Sequence, residues 1–282
     1  MDGASYRRIS EFVMTISRSA RLLLASLLGV GLAFIYIPLT VVVINSFNSS
    51  RTFSWPPQEL TTKWWAVALD NTGVREALKW SILAGLLATV IALVLGTSLA
   101  FAVSRYDFFG KEVISLLVVL PISLPGVVTG IALNNAFTKQ LGMSTGLLTV
   151  VIGHATFCIV VVYNNAVARL RRMGTSLQEA SMDLGANGFT TFRLITLPNM
   201  ASALLAGGLL AFGLSFDEIV VTTFTAGPGI QTLPIWIYNN LFRPNQTPIV
   251  NVVAATLVFI SIVPIYLSQR LSTDSSSGGR FS

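Results

Sequence analysis

The chain has 282 residues, of which 53% are hydrophobic and only 11% charged, with a formal net charge of +6. Soluble globular domains carry roughly 25% charged residues, and disordered chains pair low hydrophobicity with high charge. Disorder is therefore ruled out and an ordinary soluble enzyme is disfavoured. The composition is that of an integral membrane protein, in which the excess of Lys and Arg reports orientation rather than nucleic acid.

A helix needs about 20 mostly apolar residues to cross a bilayer core. Six stretches meet that need: 22–44, 81–103, 113–137, 147–167, 201–221 and 249–267. Their apolar runs are continuous rather than alternating, which excludes membrane strands. The first run is too long for a signal-peptide core and is read as a retained helix. The third contains Pro121 and Pro125, followed by Gly126, and is expected to kink. The expected fold is all-α, a polytopic membrane protein with six transmembrane helices. Residues 1–21 form an N-terminal segment, 22–271 the six-span domain, and 272–282 a flexible tail rich in Ser and Gly.

Placing both termini in the cytoplasm puts 12 of the 18 Lys and Arg residues inside, in four clusters around Arg7, Arg105, Arg171 and Arg270. Most of the six outside lie in the long loop 45–79, which also carries Trp64 and Trp65. This asymmetry fixes the orientation.

The inner loop 168–198 carries the most information. Ser176 with Glu179 fits a capping box opening a short helix over 176–184. Gly185 and Gly188 flank a break, and a second short helix is expected over 189–195, before Pro198 at the start of the fifth span. Leu184, Phe189, Phe192 and Ile195 are more apolar than a solvated connector requires, so they bury against the bundle or a partner.

Two acids, Asp217 and Glu218, lie in the fifth span within Ser215-Phe216-Asp217-Glu218-Ile219. A carboxylate at the bilayer centre costs about 2.5–3.5 kcal/mol on insertion scales, so such groups face a pathway, a partner or interfacial water. Counting from Pro198 puts Asp217 beyond the middle of the span. His154 and Cys158 share one face of the fourth span and are read as packing residues, because further metal ligands are missing nearby. The one cysteine excludes a disulfide framework. No metal or cofactor is expected. A phosphate-binding loop needs Gly-Lys followed by Ser or Thr. The only Gly-Lys pair, Gly110-Lys111, is followed by Glu112, so ATP hydrolysis by this chain is excluded.

Glu179-Ala180-Ser181, then Gly185, then Ile195, Leu197 and Pro198 resemble the coupling-helix signature of permease subunits of ATP-binding-cassette importers. Ser181 replaces a second Ala, a change between small residues. Asn45-Ser46-Phe47-Asn48, Thr61-Thr62-Lys63-Trp64, Ser215-Phe216-Asp217-Glu218 and Ala226-Gly227-Pro228-Gly229 resemble the second permease of the polyamine and opine branch. The resemblance implies a bacterial inner-membrane subunit that is not itself an enzyme. It implies a heterodimer with a second homologous permease, two copies of an ATP-binding subunit and an extracytoplasmic solute-binding protein. The implied docking residues are Glu179, Ala180, Ser181, Leu184, Gly185, Ile195, Leu197 and Pro198, on a cytoplasmic coupling helix. The implied pathway residues for a small cationic solute are Ser215, Asp217, Glu218 and Trp64. Polyamine members often carry an acid after the proline of the third span, where this chain has Gly126. The alternative is a stand-alone secondary transporter or channel using Asp217 and Glu218 for ion coupling; such a protein has no need of a docking helix.

Overall fold

The computed structural model describes residues 17–51 and 55–277. Most of residues 1–21, and the end of the tail expected over 272–282, lie outside the described residues. The long helices are α1 (Arg18–Asn45), α3 (Thr72–Arg105), α6 (Leu147–Met173), α9 (Leu197–Phe216) and α12 (Thr247–Ser277). The shorter ones are α2 (Lys63–Asp70), α4 (Lys111–Ser123), α5 (Gly126–Asn135), α7 (Ser176–Asp183), α8 (Gly188–Thr191), α10 (Val220–Thr225) and α11 (Leu233–Asn240). The fold is a helical, polytopic membrane protein. Four helical stretches are long and apolar enough to cross a bilayer, or five when the bent pair α4–α5 counts as one span. The sixth expected span is helical, its described apolar part being Thr247–Ile260. Helix α12 runs on to Ser277, into the segment expected to be flexible.

Helices α3, α6 and α9 form the centre, with α12 against α9. They approach closely because their facing positions are small. Ala77, Ser81, Ala84, Ala88, Ala92, Gly96 and Ala100 recur every three or four residues along one buried face of α3. A β-carbon at Gly96 would stand 3.0 Å from the Ile159 carbonyl oxygen, and one at Gly85 would stand 3.0 Å from the Phe212 ring. Small residues are what helix packing in lipid needs, where expulsion of water gives no driving force between helices.

Two expected spans differ from the expectation of a plain or merely kinked helix. The third bends by 106° between α4 and α5. Pro125 lacks an N–H and pushes Leu124 into extended backbone at ψ 145°, so the helix stops and restarts. The fifth was expected to run through 221, but α9 ends at Phe216 and α10 begins at Val220. At its other end this span is longer than expected. Helix α8, a π turn at Phe192–Thr196 and α9 join into one stretch, Gly188–Phe216, of 29 residues. The π turn sits where the Pro198 ring would crowd the preceding turn of a regular helix.

Helix α1 stands away from the centre. Its residues are exposed from Arg21 to Leu39, Phe34 at 81%, and it meets the bundle along α12. The chain after it is tied down: Thr61 donates its N–H to the Phe47 carbonyl at 2.6 Å, and Phe47 stacks on Trp65 at 5.3 Å between ring centroids.

Candidate functional site

Two places collect the residues singled out by sequence, and they lie at the two ends of the 188–216 helix.

At one end is the loop 168–198. Gly174, at φ +63°, turns the chain after α6 in a conformation that side-chain-bearing residues rarely adopt. Helix α7 covers Ser176–Asp183, close to the expected 176–184. The capping box is not formed. Thr175 is the N-cap, with no side-chain cap hydrogen bond, and its carbonyl accepts the Glu179 N–H at 3.0 Å. Ser176 is therefore the first helical residue, one position too late to cap. Gly185, at φ +86°, turns the chain again, and Asn187 caps α8 by accepting the Thr190 N–H at 2.8 Å.

Helix α7 is fastened to the long helix. Gln178 Nε2 donates to Thr196 Oγ1 at 2.9 Å, and the Ser181 and Thr191 hydroxyls lie 3.1 Å apart. Arg105, from the end of α3, donates to the Gly174 carbonyl at 3.0 Å. Glu179 and Ala180 are exposed, Ser181 half-buried, and Leu184 is 90% exposed. Phe189 is 72% exposed, while Phe192 turns inward against Phe101. Ile195 is half-buried, and Leu197 and Pro198 are exposed. A cleft of about 280 Å³ opens beside α7, lined by Phe101, Arg105, Gln178, Glu179 and Met182. The loop is thus bonded to the long helix and carries an uncovered apolar tip.

At the other end the fifth span breaks. The carbonyls of the last turn of α9 point toward Asp217, giving this end a partial negative charge. Asp217 occupies the C-cap and is exposed. Glu218 is half-buried, and its Oε1 accepts the Val221 N–H at 2.8 Å, capping α10. Ser215 is buried, with its hydroxyl 2.7 Å from His154 Nδ1. Trp64 is 8% exposed and shares a buried cluster with Phe216, Leu233 and Trp236. Lys63 Nζ already lies 5.4 Å from the Trp64 ring centroid, within cation–π range. Of the four pathway residues named from sequence, the structure gives an exposed charge to Asp217, uses Glu218 as a cap, and packs Ser215 and Trp64.

Helix α10 is held from both sides. Asn134 of α5 donates to the Phe224 carbonyl at 2.6 Å, and Thr149 of α6 donates to the Thr225 carbonyl at 2.7 Å. Gly130 packs under the Phe224 ring, and a β-carbon at Gly126 would stand 3.2 Å from Val220 Cγ1. Gly126, the position after Pro125, therefore lies beside the break. Sequence reasoning missed this clamp. Its one available signal was Asn134, a polar residue in an apolar run. Among the described residues no group of three His, Cys, Asp or Glu could hold a metal ion.

Residues 92–274 match the family described as binding-protein-dependent transport system inner membrane component. The chain belongs to this family. It is a permease subunit of an ATP-binding-cassette importer, a transport protein rather than an enzyme. It is 34% identical over 259 residues to the spermidine/putrescine transport system permease protein PotC of Escherichia coli K12, covering 92% of this chain and 97% of that one. It is 32% identical over 255 residues to the putrescine transport system permease protein PotI of the same strain, covering 86% and 90%. Among solved structures, a bacterial transporter importing the acidic polysaccharide alginate superposes with a TM-score of 0.65 at 17% identity, over 92% of this chain and 98% of that one. That likeness establishes the permease fold.

Proposed function

We propose that this permease forms half of the translocation pathway for a small cationic solute, of the putrescine, spermidine or opine kind. The observation that carries the reading is the break after Phe216, where the negative end of α9 and the exposed Asp217 carboxylate coincide. Broken helices in transporters present such ends to charged cargo. Relatives named for spermidine and putrescine support the same chemistry. Asp217 is the ligand for an ammonium, Glu218 holds α10 in place, and Ser215 and Trp64 form the wall behind.

In this reading a second permease faces the break, and two ATP-binding subunits receive α7 and its counterpart on that permease. An extracytoplasmic protein delivers the solute, and both termini are cytoplasmic. Glu179, Ala180, Ser181, Leu184 and Gly185 make the docking face, with Ile195, Leu197 and Pro198 behind it. The drive is mechanical. A movement of α7 passes through the bonds Gln178–Thr196 and Ser181–Thr191 into one helical rod of 29 residues, about 43 Å long, whose far end carries Asp217. The uncovered Leu184 disfavours a stand-alone transporter, which would bury or dispense with it.

Uptake of labelled putrescine and spermidine by cells carrying the whole transport system tests the solute class. Deleting this chain should abolish the saturable component, and excess diamine should compete where neutral sugars and acidic amino acids do not. Saturable uptake that survives the deletion, or competition by anionic solutes alone, would sink the proposal.

A further inference from the structure

His154 is buried completely, at 0% exposure, in the middle of three apolar helices. A buried imidazole must satisfy both ring nitrogens. Its Nδ1 lies 2.7 Å from Ser215 Oγ, and its Nε2 lies 2.7 Å from Thr222 Oγ1. The Thr222 hydroxyl spends its one proton on the Glu218 carbonyl at 2.9 Å. Thr222 Oγ1 therefore accepts from Nε2–H, and Nδ1 shares a hydrogen bond with the Ser215 hydroxyl. Both ring nitrogens are thereby paired.

Ser215 belongs to the last turn of α9 and Thr222 to α10, so the ring bridges the break itself. The chain between its two partners contains Asp217 and Glu218, and Glu218 enters the same network through its backbone carbonyl. A packing role would need a side chain of this volume. It would not need a donor and an acceptor aimed at opposite sides of a discontinuity.

We propose that His154 is a positioning residue, a pin on α6 that fixes α9 and α10 relative to each other and so sets where the Asp217 carboxylate stands. The pin and the Glu218 cap act together. The cap holds the first turn of α10, and the pin holds that turn to α9. The link to transport rests on the pathway reading above; the pin itself does not.

The test compares His154→Phe, which keeps a planar ring and removes both nitrogens, with His154→Gln, whose amide can renew the bond to Thr222. Both are purified as the assembled complex and followed by amide hydrogen exchange and by solute uptake. In His154→Phe the amides of residues 219–225 should exchange about tenfold faster, the factor that one lost buried hydrogen bond carries, while α6 and the body of α9 keep their protection. Uptake should fall by a similar factor, and His154→Gln should restore part of both. If His154→Phe does not assemble, Thr222→Val removes the bond to His154, together with the hydroxyl's own bond to the Glu218 carbonyl, at nearly constant volume, and the same local rise in exchange is expected of it. Exchange unchanged at 219–225, or raised evenly over α6 and α9, would overturn the pin and leave His154 as packing. A local rise without any loss of uptake would keep the pin and overturn the link from it to the pathway.

Discussion

Replacing Gly185 by Leu is expected to reduce solute uptake at least tenfold and to release the ATP-binding subunit during purification, while the permease itself remains folded. Gly185 stands at φ +86°, where a β-carbon costs about 1–2 kcal/mol. The space around it in this chain is open, and a β-carbon there meets nothing of its own protein within 4 Å. The damage falls on the direction in which Leu184 leaves α7 and on whatever packs over that turn. Gly185→Ala separates the two effects, because it carries the backbone cost with little bulk. Glu179→Lys is expected to weaken docking without the backbone cost, since Glu179 is exposed and the helix start does not depend on its side chain. Co-purification of the ATP-binding subunit with each variant, set beside uptake, checks this. Normal values of both in Gly185→Leu would remove the docking assignment.

Asp217→Asn is expected to cut uptake of a cationic solute about tenfold or more, with assembly unchanged. The carboxylate is exposed at a helix end, so folding should change by no more than about 0.5 kcal/mol. An ammonium 4 Å from a carboxylate in a partly screened site gains about 4 kcal/mol, and losing part of that accounts for the factor. Glu218 should behave differently. Glu218→Gln keeps an oxygen for the Val221 N–H and should transport at close to the normal rate. Glu218→Ala loses the cap, worth about 1 kcal/mol, and should loosen α10. Initial uptake rates for the three variants give an ordering, and equal losses in Asp217→Asn and Glu218→Gln would contradict the division of labour between the two acids.

Hydropathy located every long helix, because about 20 apolar residues in a row admit few other structures. The loop 168–198 was legible for a different reason. Gly185 and the apolar residues around it are local signals, and the structure contains the short helix, with Gly185 turning the chain at a positive φ; Leu184, expected to bury against the bundle or a partner, is not covered by this chain. The capping register was misread by one residue because Gly174, not Ser176, sets where α7 begins. The break in the fifth span was not legible as a break. The run Val220-Val221-Thr222 continues the hydropathy across it, and only the partners of Glu218 and Thr222 show that the helix restarts. His154 was read as packing for the same reason: its two hydroxyl partners lie 61 and 68 residues away in the chain, beyond any local pattern.

The small-residue face of α3 was present in the sequence at helical spacing, yet it gains meaning only beside Phe212 and Ile159, which approach the glycines that lack a β-carbon. Exposed α1 follows the same logic in reverse. It is apolar throughout, and apart from its contact with α12 this chain leaves it exposed.

Uptake into proteoliposomes shows whether this permease moves a cationic solute by coupling to a separate ATPase. The complex of this chain, its second permease and the ATP-binding subunit is reconstituted, labelled putrescine is supplied with the solute-binding protein on one side, and ATP is enclosed on the other. Accumulation against a gradient is expected to need ATP and the binding protein together and to collapse in Gly185→Leu. Accumulation by this chain alone, driven by an ion gradient without ATP, would contradict it.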